Sequence, residues 1–88
     1  MAEGENWIVK IIDARNLEPP APFERVIDAL ADLAVGERVL LIINREPMPL
    51  YRFLLNNAYE YKTSSFPDGR FEIEIWETPP VASGAQPE

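Results

Sequence analysis

Two short apolar runs, WIVKIID at Trp7–Asp13 and RVLLIIN at Arg38–Asn44, flank a single amphipathic stretch of helical period. No other feature constrains the fold as strongly. Runs of this length, rich in β-branched residues, are too short for independent helices and read as strands. Between them, from about Pro22 to Ala34, the residues Phe23, Val26, Ile27, Leu30, Leu33 and Ala34 follow the i, i+3, i+4, i+7 series. Glu24, Arg25, Asp28 and Asp32 fall on the opposite side, and Pro22 suits the first helical position, where an N–H is not needed. Gly36 is expected to close the helix, because glycine tolerates a positive φ. A strand, a helix and a second strand in this order make a right-handed crossover.

The second run is apolar on both faces, as expected of an inner strand with parallel neighbours. The pattern leaves open whether Val39, Leu41 and Ile43 or Leu40 and Ile42 face the core. A second helix is expected from near Pro47–Pro49 to Asn56–Asn57, either of which can take a left-handed cap. The segment Tyr59–Thr63 alternates, with Tyr59, Tyr61 and Thr63 on one side and Glu60 and Lys62 on the other. FEIEIW also alternates, with Phe71, Ile73 and Ile75 inward and Glu72, Glu74 and Trp76 outward. The Pro67-Asp68-Gly69 signal between them predicts a turn. The order is β-α-β-α-β-β, and the alternation requires a sheet with one open face. The predicted fold is therefore an α/β two-layer sandwich, with both helices on one face of a four-stranded sheet. Residues 6–76 make a single domain, and the polar residues 1–5 and the aperiodic residues 77–88 are expected to be disordered.

The 88 residues include no cysteine and no histidine. That removes thiolate nucleophiles, persulfides, iron–sulfur ligation, imidazole ligation and the commonest general base. Zinc, iron and copper lose their usual ligands, so no metal and no cofactor is expected. The formal charge is −7, with no Lys/Arg cluster. Phosphate neutralisation needs such clusters, so nucleic acid is not an expected partner. No apolar run approaches a membrane span, and a soluble cytoplasmic protein is expected.

The junction DARNLEPPAP has a spacing of its own: Asp13, Arg15, Asn16, Leu17, Pro19, Pro20 and Pro22. It resembles the opening motif of the small sulfur-carrier proteins of the TusA/SirA family, in which a strand-end acid and Gly-Leu lead to Cys-Pro-x-Pro and the first helix. ALADLAVGERVLLII is similar to the Ala-Leu-x-x-Leu-x-x-Gly-Glu-x-Leu stretch of that family. REPMPLYRFL resembles an uncharacterised, TusA-related family of small bacterial domains with Pro-Pro-x-Pro at the junction and acid-Pro-x-Pro-Leu-Tyr at the second helix. The resemblance covers about Trp7 to Trp76 and implies a mixed sheet in the order 1-2-4-3. It places Pro19 at the carrier cysteine and Asn16 at a glycine. Asn16 is a substitute that still tolerates a left-handed conformation. Some such relatives carry a histidine where Arg45 stands, before the acid Glu46. Persulfide transfer by this chain is excluded.

Two readings of the junction remain. It is a rigid turn aiming the first helix, or a remnant ligand site around Asp13, Arg15, Asn16 and Pro19, with Arg45 and Glu46 nearby. The helix N-terminus suits an anion, although Glu18 and Glu24 oppose one. Asp13, Glu18 and Glu46 are candidate oxygen ligands for a weakly held cation, but they lack calcium-loop spacing. Asp13 and Arg15 can instead pair structurally. Met48, Tyr51 and Phe53 cannot all face the core, so an apolar spot is expected at the second helix. On the open face, Leu40 or its neighbours, Ile42, Trp76 and a residue or two of strand one can form an apolar patch. A non-enzymatic interaction or accessory module follows, with a protein partner or a weak homodimer; an anionic small ligand or carboxylate-held metal is the alternative.

Overall fold

The computed structural model describes residues 7–79. The segments expected to be disordered at 1–5 and beyond 79 lie outside the described residues. Six elements follow in the expected order: β1 Trp7–Asp13, α1 Ala21–Ala31, β2 Glu37–Ile43, α2 Met48–Asn56, β3 Tyr59–Ser65 and β4 Phe71–Glu77. They form one mixed sheet in the order β1-β2-β4-β3. β1 runs parallel to β2, and β4 runs antiparallel to both β2 and β3. The inner strand β2 thus has one parallel and one antiparallel neighbour, not two parallel ones.

The register resolves the ambiguity of β2. Val39 pairs with Ile75 and Leu41 with Ile73, and all four are fully buried. Val26 and Leu30 from α1, and Leu50, Tyr51 and Leu54 from α2, close the core from the helix side. Leu40 and Ile42 lie on the opposite, open face, opposite Glu74 and Glu72 of β4. β4 continues through Glu77, one residue past the expected end of the domain, because Glu77 still pairs with Tyr59. The Thr78 amide then donates to the Ala58 carbonyl at 2.8 Å.

α1 ends three residues earlier than its apolar series suggests, at Ala31. The Asp32 and Leu33 amides turn back to Ala29 and Leu30 in a tightening last turn. Gly36 does have a positive φ, +91°, but it does not cap the helix. It belongs to a separate turn in which the Glu37 amide donates to the Ala34 carbonyl at 3.0 Å, and it occupies the position where such turns favour glycine. α2 departs from expectation in its cap. Asn57 has φ −122°, and the left-handed residue is Ala58, at φ 67°. Two bonds hold this turn: the Asn57 side chain donates to the Phe53 carbonyl at 2.8 Å, and Ala58 accepts from Thr78. Leu55 is 64% exposed because it falls off the stripe formed by Leu50, Tyr51 and Leu54.

Gly36 and Ala58 give paired expectations. A Cβ built on Gly36 meets nothing within 4 Å, so Gly36→Ala isolates the left-handed strain, about 1 kcal/mol of destabilisation. Ala58→Gly relieves the same strain at a cost in unfolded-state entropy, for a net gain of up to about 1 kcal/mol. Denaturant midpoints should move in opposite directions.

Candidate functional site

The proline junction and the start of α2 meet over the C-terminal end of β2. Pro19, Pro20, Pro22 and Phe23 form one wall of a cleft of about 260 Å³, and Pro47, Pro49 and Leu50 form the other. Leu41 and Ile43 form its floor, and Arg45 and Glu46 stand at its rim. Phe23 is held edge-on against Phe53, with ring centroids 5.5 Å apart. Phe53, expected as part of an interaction spot, is therefore half-buried support for this wall, while Met48 and Leu55 are the exposed large apolar residues of α2.

Both helices start here, yet the prolines leave few free donors. In α1, the Ala21 amide bonds to Glu18 O, Pro22 has no N–H, and the Glu24 amide bonds to Pro20 O. Among the described residues, only the Phe23 amide of that first turn lacks a partner. In α2, the Met48 amide bonds to Glu46 O, Pro49 has none, and the Leu50 and Tyr51 amides share Pro47 O. The dipole ends remain, but the amide cradle that usually accompanies them is largely missing.

Two carboxylates near the cleft, Asp13 and Glu46, already have partners. Asp13 accepts from Arg15 Nε at 2.9 Å, Arg15 Nη2 at 2.7 Å and the Arg15 amide at 3.2 Å. This fork holds the Asp13 carboxyl down at about 2, below its ordinary 3.8; the side-chain hydrogen bond is the largest cause and the backbone one follows. Asn16, next in the turn, does not take the left-handed conformation expected of it; among the described residues Ala58 is the one non-glycine that does. The Leu17 amide instead closes the turn on the Ala14 carbonyl at 3.2 Å. Glu46 Oε2 accepts from the Tyr51 hydroxyl at 2.9 Å, and that hydroxyl also lies 2.7 Å from Thr63 Oγ1. Burial pushes the Tyr51 hydroxyl up to about 12, outweighing the bond with Thr63 that pulls the other way, and Glu46 adds to the rise. No three of Asp13, Glu18, Glu46 and the other described acids gather closely enough to hold a metal ion.

The open face divides into two halves. On the β3–β4 side the outward residues of β4, together with Glu60 of β3, are engaged. The Arg38 guanidinium lies 3.8 Å from the Trp76 ring centroid and bonds Glu74 at 2.6 Å, while Trp76 Nε1 donates to Glu60 at 3.0 Å. Arg70 bridges Asp68 at 2.6 Å and Glu72 at 3.0 Å. Trp76, expected as one member of an apolar patch, is half-buried under Arg38. The β1 side differs. Trp7 and Ile11 are 63% and 61% exposed, and Ile8 and Val9 are also exposed. Ile11 lies beside Leu40, so the apolar surface runs from β2 to the free edge of the sheet. The signal for it was in the sequence: WIVKIID never alternates, and the order 1-2-4-3 makes β1 an edge.

Two measurements probe these sites. Asp13 should titrate near 2 by carboxyl NMR, and Arg15→Gln should return it toward 3.8. Because folding lowers this pKa, the stabilisation is complete above 3.8 and is lost as pH falls through about 2. In Pro19→Cys, a thiol beside the α1 N-terminus and Arg45 should titrate below the ~8.5 of a free cysteine. Glu18 and Glu24 limit that shift, and changing both to Gln should enlarge it. The pH dependence of alkylation reads it directly.

Among curated proteins, none matches the sequence significantly. A crystal structure of a SirA-like protein from Desulfitobacterium hafniense superposes with a TM-score of 0.71 at 23% identity, covering 80% of this chain and 99% of that one. The fold, with its 1-2-4-3 sheet and both helices on one face, is thus SirA-like. A family model for uncharacterized conserved proteins matches residues 11–77, from the middle of β1 to the end of β4. With the proline junction, the cleft and all of the sheet but the first half of β1 inside that span, the chain belongs to the DUF2249 family of uncharacterized conserved proteins.

Proposed function

We propose that this chain is a non-enzymatic interaction module, a SirA-like fold used without sulfur-carrier chemistry. The observation that carries the reading is the exposed apolar surface of β1, continuous with Leu40 and Ile42 on the open face. Contiguous apolar surface on a small acidic domain marks a contact with another polypeptide more often than an accident of composition. The absence of cysteine removes the carrier's own reaction, and the Asp13 and Glu46 carboxylates are occupied by Arg15 and Tyr51. Among the described residues, no nucleophile or free acid–base pair lines the proline cleft.

A second reading rests on that cleft. Its apolar walls and the Arg45 guanidinium suit a small carboxylate with an aliphatic body, held by charge and burial. A clearly depressed thiol pKa in Pro19→Cys supports this reading, and an ordinary one removes it.

The leading reading is tested with the purified chain as bait in cross-linking and affinity capture. The wild type is expected to capture a polypeptide partner, which includes itself. Ile8→Glu/Ile11→Glu should abolish capture, while Trp76→Phe, at a position already covered by Arg38, should leave it intact. A wild type that neither self-associates nor captures any partner overturns the reading.

A further inference from the structure

We infer that the partner of the β1 edge is a second copy of this chain, joined by antiparallel β1–β1 pairing into one eight-stranded sheet. The inference rests on the interaction reading above and names its partner.

The two edges of the sheet differ in kind. β3 presents Glu60, Lys62 and Ser64 outward, the polar dressing that keeps a sheet edge from pairing. β1 carries one charged residue, Lys10, before its terminal Asp13, with large apolar residues on both sides of it. A β-bulge between Ile8 and Lys10 shifts the register, so that Ile8 and Ile11, three apart, both fall on the open face beside Arg38 and Leu40. Antiparallel pairing about a two-fold axis between Val9 and Lys10 sets Ile8 of each copy opposite Ile11 of the other. Apolar cross-strand pairs of this kind stabilise sheets. The contact is isologous and closes on itself, and both outer edges of the product are polar β3 strands.

Charge on the helix side favours the same partner. A groove of about 600 Å³ separates β1 from α1, and its walls include Asp28 and Asp32. Lys10 pairs with Val39, so it lies on this helix-facing side. Among the described residues Lys10, Asp28 and Asp32 have no ion-pair partner. α1 returns antiparallel to β1, which puts Asp32 nearer the Lys10 end of the groove. In the two-fold register Lys10 of the second copy comes opposite Val9, at that same end. Within one copy Lys10 is the cation on the Asp28–Asp32 side of this groove, against two acids; the Lys10 of the second copy balances the other acid, twice per dimer. The opposite end, near Arg25, receives the Trp7 ring of the second copy beside Ile12. The contact is small by the standards of obligate interfaces, so the dimer is expected to be weak and concentration-dependent.

The test is sedimentation of the purified chain over a concentration series, with circular dichroism to establish folding of each variant. Wild type is expected to shift from monomer to dimer. Lys10→Glu alone, and Asp28→Lys/Asp32→Lys alone, should each weaken dimerisation by about tenfold or more, since each homodimer then carries like charges at both contacts. Mixing the two variants should restore a dimer, because both contacts again pair opposite charges. That recovery cannot come from a misfolded variant. A dimer indifferent to these changes and to Ile8→Glu/Ile11→Glu uses another surface and overturns the inference. A wild type that stays monomeric at its highest soluble concentration also overturns it. If that monomer captures a different polypeptide through Ile8 and Ile11, the interaction reading stands while the second copy is ruled out.

Discussion

Burial of Val39 and Leu41 is the constraint on which the rest depends. These two side chains, with Ile73 and Ile75 of β4, form the sheet's contribution to a core completed by Val26 and Leu54 of the helices. A strand has period two, so fixing Val39 and Leu41 inward sends Leu40 and Ile42 outward, with no freedom left. It also fixes which residues of β4 and β1 follow. Ile73 and Ile75 must face in, Glu72, Glu74 and Trp76 must face out, and Ile11 falls beside Leu40. The composition of the open face is thus a consequence of how the closed face is packed. Replacing Val39 or Leu41 by alanine would lose buried methyl and methylene groups with no room for the core to relax, typically ~2–5 kcal/mol for a Leu.

What the sequence made legible follows the same physics. Strands β3 and β4 were readable because one face is buried and one is wet, so hydrophobicity alternates. The helix α1 was readable because Val26 and Leu30 repeat at helical spacing on a polar background. The faces of β2 were not readable, because a strand apolar on both sides carries no phase; only its pairing with Ile73 and Ile75 supplies one. Turn residues were misassigned for a different reason. Gly36 was expected at a helix cap and Asn57 in the left-handed region, yet Gly36 makes a separate turn and Ala58 takes the strained conformation. Propensity ranks residues for a position, but the position is set by tertiary bonds such as that from Thr78 to Ala58. Trp76 shows the same limit. Its outward direction was legible, whereas its cover by Arg38 depends on a partner 38 residues earlier in the chain, which no local pattern encodes.

The candidate sites divide the molecule by the state of their charges. Around Asp13, Arg70 and Trp76 the charged groups are saturated by one another, and such surface is poor at recruiting anything new. Around Lys10 of β1 and Asp28 and Asp32 of α1 they are not, and along β1 the apolar side chains are also exposed. The resemblance to sulfur carriers directs attention to Pro19, whereas the physical chemistry of the surface directs it to the opposite edge of β1. Both can be true of one fold, since one fold hosts different functions at different sites.

The prolines at both helix starts have a consequence for hydration. An anion that enters the cleft between Pro19 and Pro49 sheds water against apolar walls and receives almost no amide N–H in return, because Pro22 and Pro49 supply none and, Phe23 apart, the neighbouring amides are already bonded. Strongly hydrated anions such as sulfate or phosphate lose most in that exchange. A weakly hydrated anion, or one whose charge sits at the end of a hydrocarbon chain and stays at the wet rim beside Arg45, loses least. The same dipoles that would make an ordinary helix start a phosphate site therefore sort anions here by how readily they give up water.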